Sequence, residues 1–116
     1  MRLDEQVAEI ETETDACIEA MRKRLRGFHF HRIGIRQFED VGRVYERRGG
    51  PAAQLFVQSK LRESRRQEHQ DYQRLLDLVR VVSDSKLDLH LKGFILRKLP
   101  SILPDHFGNK EARDAG

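Results

Sequence analysis

The chain has 116 residues, which is enough for one hydrophobic core and too few for two. Hydrophobic residues make up 38% of it and charged residues 35%, so core-forming side chains are scarce for a globular protein. No apolar run is long enough to span a bilayer, and the acidic N-terminal residues are unlike a signal peptide. We therefore expect a soluble, intracellular and cytoplasmic protein with no membrane span.

The net charge of +3 conceals a steep gradient along the chain. Residues 1–20 contain seven acids and one base, whereas residues 21–36 contain six bases and no acid. A charge separation of this kind influences association more than the total charge does. The single cysteine, Cys17, excludes an intramolecular disulfide and a thiolate cluster for zinc, and its position predicts a small core residue.

The first two helices are predicted from periodicity. The first, over residues 3–26, follows from apolar and small side chains that recur at alternating steps of four and three. These are Leu3, Val7, Ile10, Thr14, Cys17 and Met21. Gly27 is predicted to end this helix, and a linker follows up to Gly34. The second helix is predicted over residues 35–48, before Gly49, Gly50 and Pro51 make the strongest break in the chain.

A third, long helix is predicted over residues 51–82, because no proline or glycine interrupts this segment. Its middle, from Arg62 to Asp71, contains no apolar residue. A helix that is polar on every side spans solvent, crosses to another unit or presents a binding surface. On such a helix one face would carry a basic stripe. The stripe consists of Arg62, Arg65, Arg66 and His69.

A fourth helix is predicted over residues 85–98, capped by the Ser83–Ser85 segment. The strict alternation from Lys86 to Lys92 is typical of a strand and leaves open a two-chain sheet across a dimer. A helix is favoured because no other segment offers a strand to pair with, and it should stop before Pro100.

The predicted fold is therefore all-α. It is a small helical bundle or helical hairpin with coiled-coil-like long helices. One domain is expected over residues 1–104, and the last residues, 105–116, are expected to form a flexible tail.

No motif for catalysis or metal binding is present. His29 and His31 are two residues apart, but no third ligand lies at a diagnostic spacing, and the neighbouring Phe28 and Phe30 predict a loop that packs on the core. Phosphate-binding loops, HExxH patterns and nucleophile elbows are all lacking. We expect no enzymatic activity, no cofactor, no metal and no small-molecule substrate.

The predicted function is that of a non-enzymatic adaptor or regulatory protein, which acts through contacts with another protein and with a second copy of itself. A chain so lean in apolar residues would expose the apolar seams of its helices as a monomer, so we expect a homo-oligomer, most simply a two-fold dimer. The predicted interface residues are Leu3, Val7, Ile10, Met21, Tyr72, Leu75, Val79, Phe94, Ile95 and Leu99.

The alternative function is that of a small nucleic-acid-binding regulator. Its phosphate contacts would come from the basic stripe and from a second basic cluster at the end of the first helix. That cluster consists of Arg22, Lys23, Arg24 and Arg26. Against this alternative, no aromatic side chain interleaves the arginines to stack on bases, and a net charge of +3 is modest for such a protein. The stripe therefore favours a solvated face or a protein contact.

Two segments predict contacts between elements. Glu5, Glu9 and Glu13 follow one another at four-residue steps and repel each other, unless bases lie opposite. The acidic first helix is therefore predicted to pack beside the arginine-rich one, in the same chain or in a second copy, although both faces could simply meet water. The apolar segment 87–103, with lysines around it, could lie on a membrane surface, but a core or interface role is favoured.

Overall fold

The computed structural model describes residues 2–107, and these residues fold into five helices that confirm the predicted all-α class. The helices are α1 (Leu3–Arg24), α2 (Ile35–Arg48), α3 (Gly50–Glu63), α4 (His69–Asp84) and α5 (Leu89–Ile102). Two short 3-10 turns, Arg66–Glu68 and Pro104–His106, precede α4 and follow α5. Within the described part of the chain, no helix is long and apolar enough to cross a membrane.

The bounds of α2 agree with the prediction at both ends, because local signals fix them. At its start, Gln37 Oε1 accepts a hydrogen bond from the Gly34 amide at 3.0 Å. At its end, Gly49 has a φ of 90°, a left-handed conformation that glycine adopts without strain. Pro51 then lies in the first turn of α3, where a missing amide costs no helical hydrogen bond.

The long helix predicted over residues 51–82 is wrong, because the segment forms two helices with a break between them. Ser64 and Arg65 are extended, with ψ angles of 156° and 155°. The Ser64 hydroxyl donates to the Leu61 carbonyl at 2.7 Å, and Glu68 Oε1 accepts from the Arg65 amide at 2.9 Å. Because the polar run has no apolar side chain to hold it on the core, these local hydrogen bonds outcompete the helix.

The fourth predicted helix forms as α5, but four residues further along the chain. Asp88 caps it by accepting a hydrogen bond from the Leu91 amide at 2.8 Å, so the helix begins at Leu89, within the alternating segment, and not at Ser85. α5 also continues through Pro100 to Ile102, since Leu99 and Pro100 are buried and pack the last turn on the core. The alternating segment forms a loop and the first turn of a helix, not a strand.

α2 packs along α5, α3 and α4 pack beside this pair, and α1 packs against α4. The core lies between these helices. Six of the predicted interface residues lie in this core and not on an outer surface, which corrects their assignment. They are Met21, Tyr72, Leu75, Val79, Ile95 and Leu99. Their apolar area is already covered within one chain, so it is not available to a second copy.

The ordered core extends further towards the C-terminus than the predicted boundary at residue 104. Phe107 is buried, and its ring stacks on Phe30 at a centroid distance of 5.1 Å. The Phe30 amide also donates to the His106 carbonyl at 2.8 Å. Residues 105–107 therefore belong to the folded domain, while the rest of the predicted tail lies outside the described residues.

Three buried acidic groups predict an alkaline limit to stability. Burial raises the pKa of the Cys17 thiol above 9.0, and raises the pKa of the Tyr45 and Tyr72 phenols above 10.0. The folded state therefore holds these protons more tightly than the unfolded state, so their stabilising contribution is complete below about pH 9 and is lost as the pH rises further. We expect the melting temperature to fall steeply above about pH 10.

Thermal melts monitored by circular dichroism between about pH 8 and about pH 11 test this expectation. In the Tyr45→Phe variant, which has no phenol to ionise at this position, the alkaline decline should be shallower than in the wild type. A melting temperature that stays constant across the whole range would contradict the prediction.

Candidate functional site

The N-terminal half of α1 projects from the body of the protein. The C-terminal half of α1 is anchored, because Cys17 and Met21 are buried, and Leu25 is buried just beyond it. Every residue from Arg2 to Thr12 is exposed. A 22-residue helix is about 33 Å long, and a projecting α1 agrees with molecular dimensions of 50 × 27 × 23 Å. We refer to residues 3–13 as the arm.

One face of the arm carries an exposed apolar stripe. Leu3, Val7 and Ile10 occupy one face at helical spacing and are 75%, 46% and 48% exposed. Within the described residues, they are three of the six large hydrophobic side chains exposed to this degree. These three predicted interface residues therefore lie where a partner can reach them, unlike the six in the core.

Acidic side chains border this stripe on both edges. On a helix, Asp4 and Glu11 lie along one edge, and Glu9 and Glu13 lie along the other. No Lys or Arg of the described chain approaches the arm's carboxylates within 4.0 Å, since the five ion pairs there all lie elsewhere. The arm is therefore an amphipathic, negatively charged helix whose carboxylates make no ion pair within the described residues. Of its apolar stripe, Ile10 lies beside a hollow that it lines together with Leu87 and Leu91, and it stays half exposed there.

The predicted basic stripe does not form on one helix. Arg62 is in the last turn of α3, Arg65 and Arg66 are at the extended break and the 3-10 turn, and His69 begins α4. All four side chains are exposed. The predicted packing of the acidic helix beside the arginine-rich one is present only in part, because α1 packs against α4 but no ion pair of the described residues joins the acids of α1 to this stripe. The stripe is a basic turn, not a continuous helical surface that could follow a phosphate backbone.

The second basic cluster lies at the C-terminal end of α1. Arg22, Lys23 and Arg24 form the last turn, and Arg26 follows, all of them exposed. Positive charge at this end stabilises the helix dipole, so the cluster has a structural role of its own. Arg74 of α4 adds to it by donating from Nη1 to the Arg24 carbonyl at 2.9 Å.

Two other sets of residues from the sequence analysis are placed by the structure. Phe94, a predicted interface residue, is 45% exposed on α5, and its ring centroid lies 5.6 Å from the Arg97 guanidinium.

The rings of His29 and His31 lie 6.1 Å apart. The ring of His106, to which no sequence pattern points, lies 6.3 Å from that of His29. Among residues 2–107, no group of three potential ligands is arranged to hold a metal ion.

Comparison with known proteins adds no family to this description. No family model matches the chain, and no curated protein or solved structure is significantly similar to it. Its function is therefore inferred from the geometry and chemistry of the arm.

Proposed function

We propose that this chain is a helical adaptor or regulatory protein that acts by binding proteins, not by catalysis, and that it self-associates through the arm of α1. The observation that carries the proposal is the exposed stripe of Leu3, Val7 and Ile10 on a helix that projects from a closed core. A contiguous apolar stripe of this kind is typical of helices that dock their apolar face in a groove of a partner.

The size of the stripe indicates what its partner must supply. Burying the exposed parts of the three side chains would contribute about 3 kcal/mol. Association itself costs at least about 4 kcal/mol in lost translational and rotational freedom. The stripe alone therefore does not suffice, and a partner must add complementary charge, further apolar surface or a second copy of the same contact.

Replacing the apolar side chains of the arm with polar ones should abolish self-association. The triple change Leu3→Ser, Val7→Ser and Ile10→Ser removes the apolar face but leaves the core intact, because none of these side chains is buried. Light scattering at micromolar concentration should give a multiple of the 13.6 kDa chain mass for the wild type, and the mass of a single chain for the variant. The melting temperature, extrapolated to low concentration, should change little.

A matched control is available on the opposite face of the arm. Ala8→Ser combined with Thr12→Ser introduces the same residue type in the same helix and should leave the assembly intact. A wild-type mass of 13.6 kDa at micromolar concentration, or a triple variant that still associates, would contradict the proposal.

Nucleic-acid binding through the basic turn is the competing outcome. Arg62, Arg65 and Arg66 would then each neutralise a phosphate, and affinity for duplex DNA would fall steeply with salt. Replacing all three by Ala would reduce the log–log salt slope by about 3. Micromolar or tighter binding to duplex DNA or RNA at physiological salt, abolished by this triple change, would assign the function to nucleic acid instead of protein.

A further inference from the structure

A groove between α2 and α3 combines an apolar floor with positive charge along its sides. It consists of two adjoining hollows of about 520 and 510 Å³, which share Val44 and Phe56 in their lining. Val44 and Phe56 are half-buried and form an apolar floor, and Leu55 is 62% exposed beside it. The groove therefore offers apolar surface that the described chain leaves open.

Cations border this groove on both sides. Arg43 and Arg47, one turn apart on α2, border one side, and Lys60 of α3 borders the other. Arg43 already pairs with Glu39 at 3.8 Å and with Asp40 at 3.7 Å. Within the described residues, neither Arg47 nor Lys60 has a carboxylate within 4.0 Å. These two bordering cations therefore have no ionic partner there, and the Lys60 ammonium lies over the Phe56 ring, 5.6 Å from its centroid.

We propose that the arm of one copy docks in the α2–α3 groove of a second copy. This inference rests on the proposed function, because it names the surface that the arm binds during self-association. The arm presents an apolar stripe with acids on both edges, and the groove presents an apolar floor with bases on both edges. In this pairing, the apolar stripe of the arm would meet the apolar floor of the groove, and each acidic edge of the arm would meet a basic side of the groove. This complementarity favours the pairing over a contact between two arms.

The dimensions of the two surfaces agree. The 11 residues of the arm span about 16 Å as a helix, and the stretch of α3 that lines the groove, from Ala52 to Lys60, spans about 13 Å. Three turns of the arm can therefore lie along the groove and place Leu3, Val7 and Ile10 over Phe56 and Val44.

A second copy fits the groove better than the chain's own arm does. No residue of α1 lines the groove, and α1 is continuous from Leu3 to its buried anchors Cys17 and Met21. The arm would have to break its own helix to bend back to the groove. When two copies exchange arms reciprocally, the same contact forms twice and the assembly closes as a two-fold dimer.

Charge reversal of each surface tests this pairing. Glu9→Lys with Glu11→Lys reverses both edges of the arm, and Arg47→Glu with Lys60→Glu reverses both sides of the groove. Each double variant should bind itself at least about 100-fold more weakly than the wild type, because like charges would face each other. An equimolar mixture of the two variants should recover the wild-type mass, since reversed arms then meet reversed grooves and native arms meet native grooves.

A charge-matched control excludes a general effect of net charge. Arg65→Glu with Arg66→Glu makes the same change in charge at exposed positions of the basic turn and should leave the assembly unchanged. Circular dichroism checks that each variant keeps its helices, and Leu55→Ser, which alters an exposed apolar residue beside the groove, gives a second variant that the proposal expects to weaken binding.

The outcomes separate this inference from the proposed function. If the wild type is a monomer, both are wrong. If the serine variant of the arm is monomeric but the groove variants still associate, or the mixture of reversed variants does not recover the assembly, the arm binds elsewhere and the groove assignment is wrong. Loss of association in each reversed variant, with recovery on mixing, supports the assignment.

Discussion

The Asp71→Ala variant is expected to lose about 3–5 kcal/mol of unfolding free energy. Asp71 is 4% exposed, and its Oδ2 atom accepts hydrogen bonds from the backbone amides of His31, Arg32 and Ile33 at 3.0, 2.7 and 3.1 Å. Alanine would leave three amides without an acceptor, in a loop that otherwise has few local hydrogen bonds. Urea denaturation monitored by circular dichroism measures the loss.

This loss is a large part of the total free energy of unfolding, because a domain of this size is typically stable by about 5–15 kcal/mol. Asp71→Asn should lose less, since the amide oxygen can still accept part of the hydrogen bonding. Asp77→Ala, on the same helix, removes an exposed carboxylate 4.0 Å from Arg80 and should cost less than about 0.5 kcal/mol. An Asp71→Ala variant within about 1 kcal/mol of the wild type would contradict this account of the loop.

The sequence predicts helices well where local signals and core contacts agree. α2 is predicted to the residue because glycines flank it and its apolar side chains share one face. The prediction for the segment 51–82 is wrong because the absence of glycine and proline does not suffice to form a helix. The break at Ser64 and Arg65 depends on side-chain hydrogen bonds and on the return of α4 to the core, and neither leaves a periodic signature.

Periodicity identifies an apolar face but not what covers it. Val7 and Met21 belong to one seam of α1, yet Val7 is exposed and Met21 is buried. Where the body of the protein ends along α1 depends on the position of α4, which is far away in sequence. The interface prediction is wrong for six residues for the same reason. A lean composition predicts exposed seams, whereas the chain covers these six side chains within its own core.

The burial of Asp71 also cannot be predicted from the residues next to it in the sequence. Asp71 ends a polar run, and nothing in that run indicates burial, because its hydrogen-bond partners lie 38 to 40 residues earlier in the chain. The role of Arg47 and Lys60 likewise has no signal in the sequence, because the groove that they border exists only when α2 and α3 pack together. A possible signal was Leu55, an apolar residue that lies off the buried face of Ala53 and Val57.

The helices α2 and α5 pack closely against each other. Gly42 of α2 and Gly93 of α5 are both buried and face each other, so the two backbones meet without side chains between them. Nearby, the Arg97 guanidinium of α5 pairs with Glu46 of α2 at 3.2 Å. A chain with few large apolar residues thus gains contact area by bringing two helical backbones together.

A methyl group at either glycine should separate α2 from α5. In Gly42→Ala, the new Cβ would lie 2.6 Å from the Gly93 carbonyl oxygen and 2.9 Å from the Arg97 amide nitrogen, and it would also contact Arg97 Cγ. In Gly93→Ala, it would lie 2.7 Å from the Gly42 carbonyl oxygen, and it would also contact Glu46 Cγ. The side-chain atoms can move aside, but in each variant the carbonyl oxygen of the facing helix cannot rotate away, so the helices must move apart.

Either change is therefore expected to destabilise the protein by about 2 kcal/mol, although alanine is intrinsically favoured over glycine in a helix by about 1 kcal/mol. Urea unfolding of both variants measures the effect. Gly34→Ala is the control for steric clash, because its Cβ would meet nothing nearer than Gln37 Oε1 at 3.9 Å. Gly34 is the N-cap of α2, where glycine is preferred to alanine, so this change should cost no more than about 1 kcal/mol. If Gly42→Ala and Gly93→Ala are as stable as the wild type, helix propensity outweighs the clash, and the close packing of α2 on α5 is not needed to hold the fold together.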